Sequence, residues 1–305
     1  MYDVIVIGGG PAGMTAALYA QRNGKSALVI EKGGFGGQIT HSPKVENYPG
    51  TYSMSGNEFA DRTLDQILRQ GAEIEIAEVT AIRDEGGQKV VVTEDGAEFA
   101  GKTVVIATGV KHRMLGLEGE EDLVGEGISF CAVCDGDFYA GKIVIVAGGG
   151  NSALQEAILL AEKCKKVILL QDLPAFTGET QLQKVLFAKT NVEGITDTRI
   201  LRLVTEDGKL CGVEFETRST GENRRVLACD GLFVAIGLIP ENGPFAALAD
   251  LNEYGYFASD ENCLTRTPGV FVAGDCRSKR IRQVATAIAD GATAALAACR
   301  YIDML

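Results

Sequence analysis

Apolar and polar positions along the chain fall into a recurring order of short buried-strand runs, glycine turns and small-residue helices. Val4-Ile5-Val6-Ile7 closes a strand from Tyr2 to Ile7, and Gly8 to Gly13 turns the chain into a helix from Met14 to Asn23. Ala27 to Ile30 is the next apolar run, the length of a buried strand and too short for a helix. A helix from Gly56 to Arg69 follows, then strand-like runs from Glu73 to Ile82 and Lys89 to Thr93, with turns at Glu85-Gly86-Gly87 and Asp95-Gly96. Val104 to Gly109 is again a buried strand. The order then restarts: strand Lys142 to Ala147, turn Gly148-Gly149-Gly150, helix Ala153 to Cys164, strand Lys166 to Leu170. Ile195 to Thr217 and Arg225 to Cys229 read as further strands, and Gly231 to Gly237 as a buried one. Gly269 to Asp275 is the last, before a small-residue helix from Gln283 toward Tyr301.

A strand-turn-helix unit used twice predicts an α/β protein with two Rossmann-like nucleotide-binding domains of three-layer ββα type. In the first, Gly8 permits the tight turn, Gly10 lets the backbone approach a pyrophosphate, and Gly13 lets the helix pack close to the sheet; Pro11 and Ala12 complete the turn. Glu31 ends the second strand, where a carboxylate accepts hydrogen bonds from ribose hydroxyls and disfavours a 2′-phosphate. Gly33 to Gly37, Gln38, His41 and Asn47-Tyr48-Pro49-Gly50 form an irregular stretch that contacts a cofactor ring or is plain surface loop. In the second unit, Gly148, Gly150 and Ala153 satisfy Gly-x-Gly-x-x-Ala. The following strand ends in Gln171-Asp172-Leu173-Pro174-Ala175-Phe176, with no Lys or Arg between Lys166 and Lys184. Guanidinium forks that would bind a 2′-phosphate are therefore missing, which leaves a plain ribose or a vestigial site.

Between the two units lies Cys131-Ala132-Val133-Cys134-Asp135. Two thiols at this spacing can close a disulfide ring, and the thiol of lower pKa supplies the reacting thiolate. No second Cys-x-x-Cys or His pair completes a zinc set, so no metal is expected. Asp135-Gly136 is also a good turn pair. Gly274-Asp275 ends the last strand, where an Asp holds a polyol or merely caps the strand, and the helix after Gln283-Val284 turns its N-terminus toward negative charge.

Composition narrows the partners. The 305 residues are 46% hydrophobic and 23% charged, which suits about two soluble globular domains. Lys+Arg 29 against Asp+Glu 41 gives a net charge of −12, which argues against nucleic acid or an anionic membrane as main partner. The start of the chain has no basic leader, and no apolar stretch is long enough for a bilayer, so a cytoplasmic protein is expected. Beyond the close pair, the cysteines are scattered like buried apolar residues. Arg277-Ser278-Lys279-Arg280-Ile281-Arg282 stands out as four cations in six residues on an acidic chain.

Taken in order, Gly8 to Gly13, Glu46-Asn47-Tyr48-Pro49-Gly50, Ala107-Thr108-Gly109, Cys131 to Asp135, and Gly274-Asp275 with Arg282-Gln283-Val284 resemble the low-molecular-weight thioredoxin reductases over nearly the whole chain. The resemblance implies a homodimer with a discontinuous FAD domain, residues 1–113 and 241–305, and an inserted domain, 114–240, that carries a redox-active disulfide. It implies that Cys134 faces the flavin, Cys131 attacks thioredoxin, and Asp135 is the acid/base. FAD contacts carried over are Gly8, Gly10, Pro11, Ala12, Gly13, Glu31, Gly37, Gln38, Asn47, Thr108, Gly109, Gly274, Asp275, Arg282, Gln283 and Val284. The NADPH-linked members carry a His-Arg-Arg run where this chain has Gln171 to Thr177. The chain thus resembles the NADPH-independent branch, which includes ferredoxin-dependent flavin thioredoxin reductases and a smaller NADH-linked group. Ferredoxin, or else NADH, is the expected donor, with Arg277 to Arg282 as a docking patch for an acidic ferredoxin. The alternatives are an NADH- or NADPH-linked thioredoxin reductase, a dithiol oxidase using oxygen, and a flavin-binding regulator. Only Phe130, Phe138 and Tyr139 lie near the cysteines to line an oxidase pocket, and the presence of both cysteines speaks against a regulator.

Overall fold

The computed structural model describes residues 1–42 and 44–305 and divides into two units, Met1–Lys111 with Ile239–Leu305, and His112–Leu238. The crossings fall at 111/112 and 238/239, each two residues before the bounds that the family resemblance implies. Within the inserted unit the two ends of the crossing lie together, since the Arg113 N–H donates to the Gly237 carbonyl at 3.0 Å.

Among the described residues, the outer unit holds one seven-stranded sheet. Glu73–Ile76, Ala27–Glu31, Tyr2–Ile7 and Glu98–Ile106 run parallel. Glu98–Ile106 is shared: Glu98 to Gly101 pair antiparallel with Lys89 to Val92, while Val104 to Ile106 pair parallel with Val270 to Val272. The run expected from Glu73 to Ile82 is broken in two. Its first part edges the parallel sheet, and Val79–Asp84 joins the antiparallel arm against Lys89–Thr93. The partner changes at Ala77, whose N–H goes back to Glu31 while Glu78 accepts from Glu94, a change that alternation alone cannot mark.

Side-chain alternation splits each central strand between two cores. Val4 and Val6 face a cluster built on helices Pro11–Arg22 and Val284–Asp303, whereas Ile5 and Ile7 face Val91, Phe245 and Phe257. The two helices meet through small residues, Ala12, Ala16 and Ala20 of the first and Ala287, Ala294 and Ala298 of the second. Pro11 starts the first helix, three residues before the expected Met14, because its missing N–H costs nothing at that position.

The inserted unit repeats the plan. Val192–Ile195, Lys166–Leu170, Ile143–Ala147, Gly231–Val234 and Ile128–Ser129 form a parallel sheet in that order. Val144 and Val146 face helix Asn151–Ala161, and Ile145 and Ala147 face an antiparallel layer of Thr198–Glu206, Lys209–Thr217 and Glu222–Ala228. This is the α/β fold with Rossmann-like, three-layer units. Helix Thr180–Phe187 was not expected, its eight residues giving too few turns for a clear period. Gly8 (φ +106°) and Gly148 (φ +131°) occupy the same place in the two units: a β-carbon would lie 2.3 Å from the Ala107 carbonyl oxygen at the first and 2.5 Å from that of Ala235 at the second. Among the described residues no helix is long and apolar enough to cross a membrane.

The helix pair depends on one further glycine. A β-carbon on Gly291 would lie 2.1 Å from the Ala12 carbonyl oxygen, so the two backbones are in contact there. Gly291→Ala is expected to destabilise the outer unit by about 1–3 kcal/mol, the usual cost of overpacking. A urea unfolding midpoint equal to that of the parent would contradict the close approach.

Candidate active site

In the outer unit the glycine turn is clamped from both sides. The Gly9 N–H donates to Glu31 Oε2 at 2.6 Å and the Gly33 N–H to Oε1 at 2.9 Å, so Glu31 holds the turn and the following loop together. A β-carbon on Gly13 would meet the Gly8 carbonyl oxygen at 1.9 Å, which fixes the helix start against the strand. Among the described residues, a β-carbon on Gly10 would have within 4 Å just the Gly36 oxygen, at 3.9 Å, so the space over the helix N-terminus is open. Pro11 and Ala12 begin that helix. Gly37 approaches Gly10, and Gln38 beside it is exposed on the short turn Gly37–His41.

Distant segments close the remaining sides. Asn47 Nδ2 donates to Gln283 Oε1 at 3.2 Å, and Gln283 caps the helix that Val284 begins. Thr108 Oγ1 bonds to Asn242 Oδ1 at 3.3 Å, next to Gly109. Asn242, which is not among the cofactor contacts carried over from the resemblance, is buried and donates to the Gly255 and Cys276 carbonyls at 2.9 and 2.8 Å, bracing the turn Gly274–Cys276. Arg282 stacks over the Tyr256 ring at 4.2 Å and donates to the Asp275 carbonyl at 3.4 Å.

Asp275 Oδ1 is sealed from solvent and makes no hydrogen bond among the described residues, with the Lys279 ammonium 3.4 Å away as an ion-pair partner. A buried carboxylate oxygen in that condition keeps acceptor capacity for a hydroxyl-bearing ligand. With the open helix N-terminus for a pyrophosphate and Glu31 at the strand end for a ribose, the outer unit's residues fit FAD.

The basic run is not the exposed docking patch the sequence suggested. Arg277 grips Asp290 with two hydrogen bonds, 2.8 and 2.7 Å, and the Lys279 ammonium lies 3.0 Å from the same carboxylate with its side chain only 8% exposed. Burial would raise the Asp290 carboxyl, but these two cations hold it below its usual value. Arg280 is exposed, while Arg282 is stacked on Tyr256.

In the inserted unit, Cys131 and Cys134 are joined as a disulfide across the single helical turn Ala132–Asp135. Cys131 caps that turn, its Sγ accepting the Cys134 N–H at 3.2 Å and its carbonyl the Asp135 N–H at 3.0 Å. Ser129 ties the ends together: its hydroxyl donates to Asp135 Oδ2 at 2.6 Å and accepts the Cys131 N–H at 3.1 Å. Asp135 Oδ1 is buried without a partner among the described residues. Burial pushes its carboxyl up, with the Ser129 hydroxyl pulling the other way. That suits a group that gives and takes a proton.

Glu156, also absent from the sequence reading, stands on helix Asn151–Ala161 against the N-terminal end of the disulfide turn. Burial pushes its carboxyl up to about 8, opposed by the Ala132 N–H and reinforced by the Asp135 charge. Phe130 stacks on His112 and Tyr139 packs edge-on against Phe233, so these two aromatics support the fold. The second glycine turn has Gln171 directly beneath Gly149, buried and bonded to Ala175 in its own loop. Asp172 is paired with Arg218 at 2.8 Å. No cluster of His, Cys, Asp or Glu among the described residues could hold a metal ion.

The raised Glu156 carboxyl makes stability depend on pH. A group whose folded pKa lies above its ordinary 4.5 contributes stability at acid pH that is lost as pH rises toward about 8. Unfolding free energy is therefore expected to fall across this window, by at most about 1.4 kcal/mol per pH unit from this group. Glu156→Gln, neutral throughout, should flatten the slope in urea unfolding series. The same slope in parent and variant would contradict the assignment.

Comparisons with known proteins agree with this arrangement. The pyridine nucleotide-disulphide oxidoreductase family matches residues 2–291. A thioredoxin reductase of Bacillus subtilis (strain 168) is 37% identical over 305 residues, 100% of this chain and 96% of its own. A 34.2 kDa protein in the rubredoxin operon of Clostridium pasteurianum is 39% identical over 303 residues, 98% of this chain and 97% of its own. The crystal structure of thioredoxin reductase from Streptococcus pyogenes MGAS5005 matches with a TM-score of 0.94 at 39% identity, covering 100% of this chain and 99% of that one. The chain thus belongs to the pyridine nucleotide-disulphide oxidoreductase family, as an FAD-dependent enzyme of the low-molecular-weight thioredoxin reductase type.

Proposed function

We propose that this chain reduces thioredoxin through the Cys131–Cys134 disulfide, with Met1–Lys111 and Ile239–Leu305 as the FAD-binding unit, and that its donor is ferredoxin rather than NADPH. The observation that carries the thiol chemistry is the disulfide turn itself, with the buried Asp135 carboxyl held beside it by Ser129. The thioredoxin reductases of Bacillus subtilis and Streptococcus pyogenes, matched over the full chain, support thioredoxin as substrate.

FAD, when bound, supplies the electron pair that opens the disulfide. Glu31 orients the glycine turn that would hold the cofactor's ribose and pyrophosphate, and Asp275 would accept from a cofactor hydroxyl. In the reduced enzyme Cys131 attacks the thioredoxin disulfide as a thiolate, forming a mixed disulfide, and Cys134 displaces the second thioredoxin thiol. Asp135 takes the proton that activates the thiol and returns it to the leaving sulfur. The family resemblance adds that the working form is a homodimer.

The donor reading rests on the second glycine turn. Gln171 is committed to its own loop, and the Asp172 carboxylate both occupies Arg218 and repels a 2′-phosphate. The relative from a rubredoxin operon fits a donor of the iron-protein class. The energetics are favourable: a ferredoxin near roughly −400 mV facing thioredoxin near about −270 mV is downhill by about 6 kcal/mol for two electrons.

Under anaerobic conditions, reduced ferredoxin is expected to support thioredoxin reduction, and NADPH is not. Efficient turnover with NADPH overturns the donor assignment, and failure with ferredoxin, NADH and NADPH alike overturns the function. Asp135→Asn should slow the thiol–disulfide step by about 10²–10⁴-fold while leaving flavin reduction intact, as measured by stopped-flow absorbance. Slowing of both steps together would remove Asp135 from the proton role.

A further inference from the structure

We propose that Lys279 is a positioning residue for the cofactor: it keeps the Asp275 carboxylate ionised and aimed at a ligand hydroxyl, while Asp290, clamped by Arg277, holds Lys279 in place. The inference rests on the reading of the outer unit as an FAD site and extends it to residues that do not touch the cofactor.

The Lys279 side chain is only 8% exposed, and lysines are almost never buried unless paired. Its ammonium lies between two carboxylates, 3.0 Å from Asp290 Oδ2 and 3.4 Å from Asp275 Oδ1. Asp290 is already satisfied without it. Its Oδ2 accepts the Arg277 Nε at 2.8 Å and the Gly274 N–H at 3.1 Å, and its Oδ1 accepts the other end of the guanidinium at 2.7 Å. Arg277 alone thus offsets the Asp290 charge, and the Lys279 ammonium, shared between the two carboxylates, is left to act on Asp275 as well. The Gly274 bond also fixes the turn immediately before Asp275, so one carboxylate orients both the backbone and the cation of the site.

Asp275 needs that cation. Its Oδ1 is sealed without a hydrogen-bond partner among the described residues, and burial pushes the carboxyl up toward protonation. The charged groups facing it are Lys279 and Arg282, which oppose the rise, and Asp290, which adds to it. Arg282 is turned onto the Tyr256 ring and bonds the Asp275 carbonyl rather than its carboxylate, which leaves Lys279 as the cation at the carboxylate itself. Without Lys279, Asp275 takes up a proton at higher pH and loses its strength as an acceptor.

The test uses the FAD-loaded enzyme and follows release of FAD by its fluorescence at pH 6 and pH 9. For Lys279→Met, release at pH 6 is expected to be about 10- to 100-fold faster than in the parent, the worth of a charge-assisted hydrogen bond, with the excess shrinking as the pH is raised to 9. Lys279→Arg, which keeps the charge, should hold FAD with the parent's pH profile. No excess at pH 6, or the same excess at both pH values, overturns the charge role. If Lys279→Met retains no FAD, Lys279→Arg decides, and FAD loss from that variant too is equally fatal. Asp275→Asn separates the two levels: if it releases FAD as slowly as the parent, the FAD-site reading itself fails. If it releases FAD quickly while Lys279→Met does not, only the present inference fails.

Discussion

The contact on which the rest of the outer unit depends is the one between the Gly13 Cα and the Gly8 carbonyl, where a β-carbon would lie 1.9 Å from the oxygen. No side chain of any kind fits there, so the first helix lies directly on the strand that feeds it. Its N-terminal N–H groups then face an open space over Gly10, and the Gly9 N–H meets the Glu31 carboxylate. The last helix closes the same face through Gly291 and Ala12, again by backbone contact. A nucleotide site follows from this packing because a helix end held that close to a sheet presents its dipole where the strands end. The inserted unit repeats the turn at Gly148, but fills the space below Gly149 with Gln171.

Two ways of burying a carboxylate distinguish the two units. Asp135 and Glu156 flank the disulfide turn with no ion-pair partner among the described residues, so burial moves both toward the neutral acid, a state suited to handling protons. Asp290 is buried with two cations and stays ionised, and its neighbour Asp275 shares one of them. The same chemical group is therefore left free to take up a proton in one place and held as an anion in the other. The difference lies in whether an arginine or lysine was brought along.

Much of this was legible in the sequence, because the glycine turns, Glu31, the Cys-x-x-Cys pair and Gly274-Asp275 are local patterns with local reasons. What escaped was set by contacts between segments far apart. Ser129 bridges Cys131 and Asp135 from a two-residue strand, Asn242 reaches Thr108 from beyond the inserted unit, and Glu156 meets the disulfide turn from another helix. The basic run was misread for a related reason: four cations in six residues suggest solvent, and sequence spacing does not show that Arg277 and Lys279 turn inward to Asp290. A signal was present, since Asp290 is the only charged residue from Val284 to Cys299. A lone acid within an alanine-rich helix that packs on a core requires a buried partner, and the nearest cations are those just before the helix.

The central claim is that the disulfide of the inserted unit, and Cys131 within it, delivers electrons to thioredoxin. It is tested most directly by incubating the Cys134→Ser enzyme with oxidised thioredoxin and mapping any covalent adduct by mass spectrometry. With its resolving thiol gone, the enzyme should accumulate a mixed disulfide between Cys131 and thioredoxin and cease to turn over. Substantial turnover by this variant, or an adduct on a cysteine other than Cys131, would contradict the account.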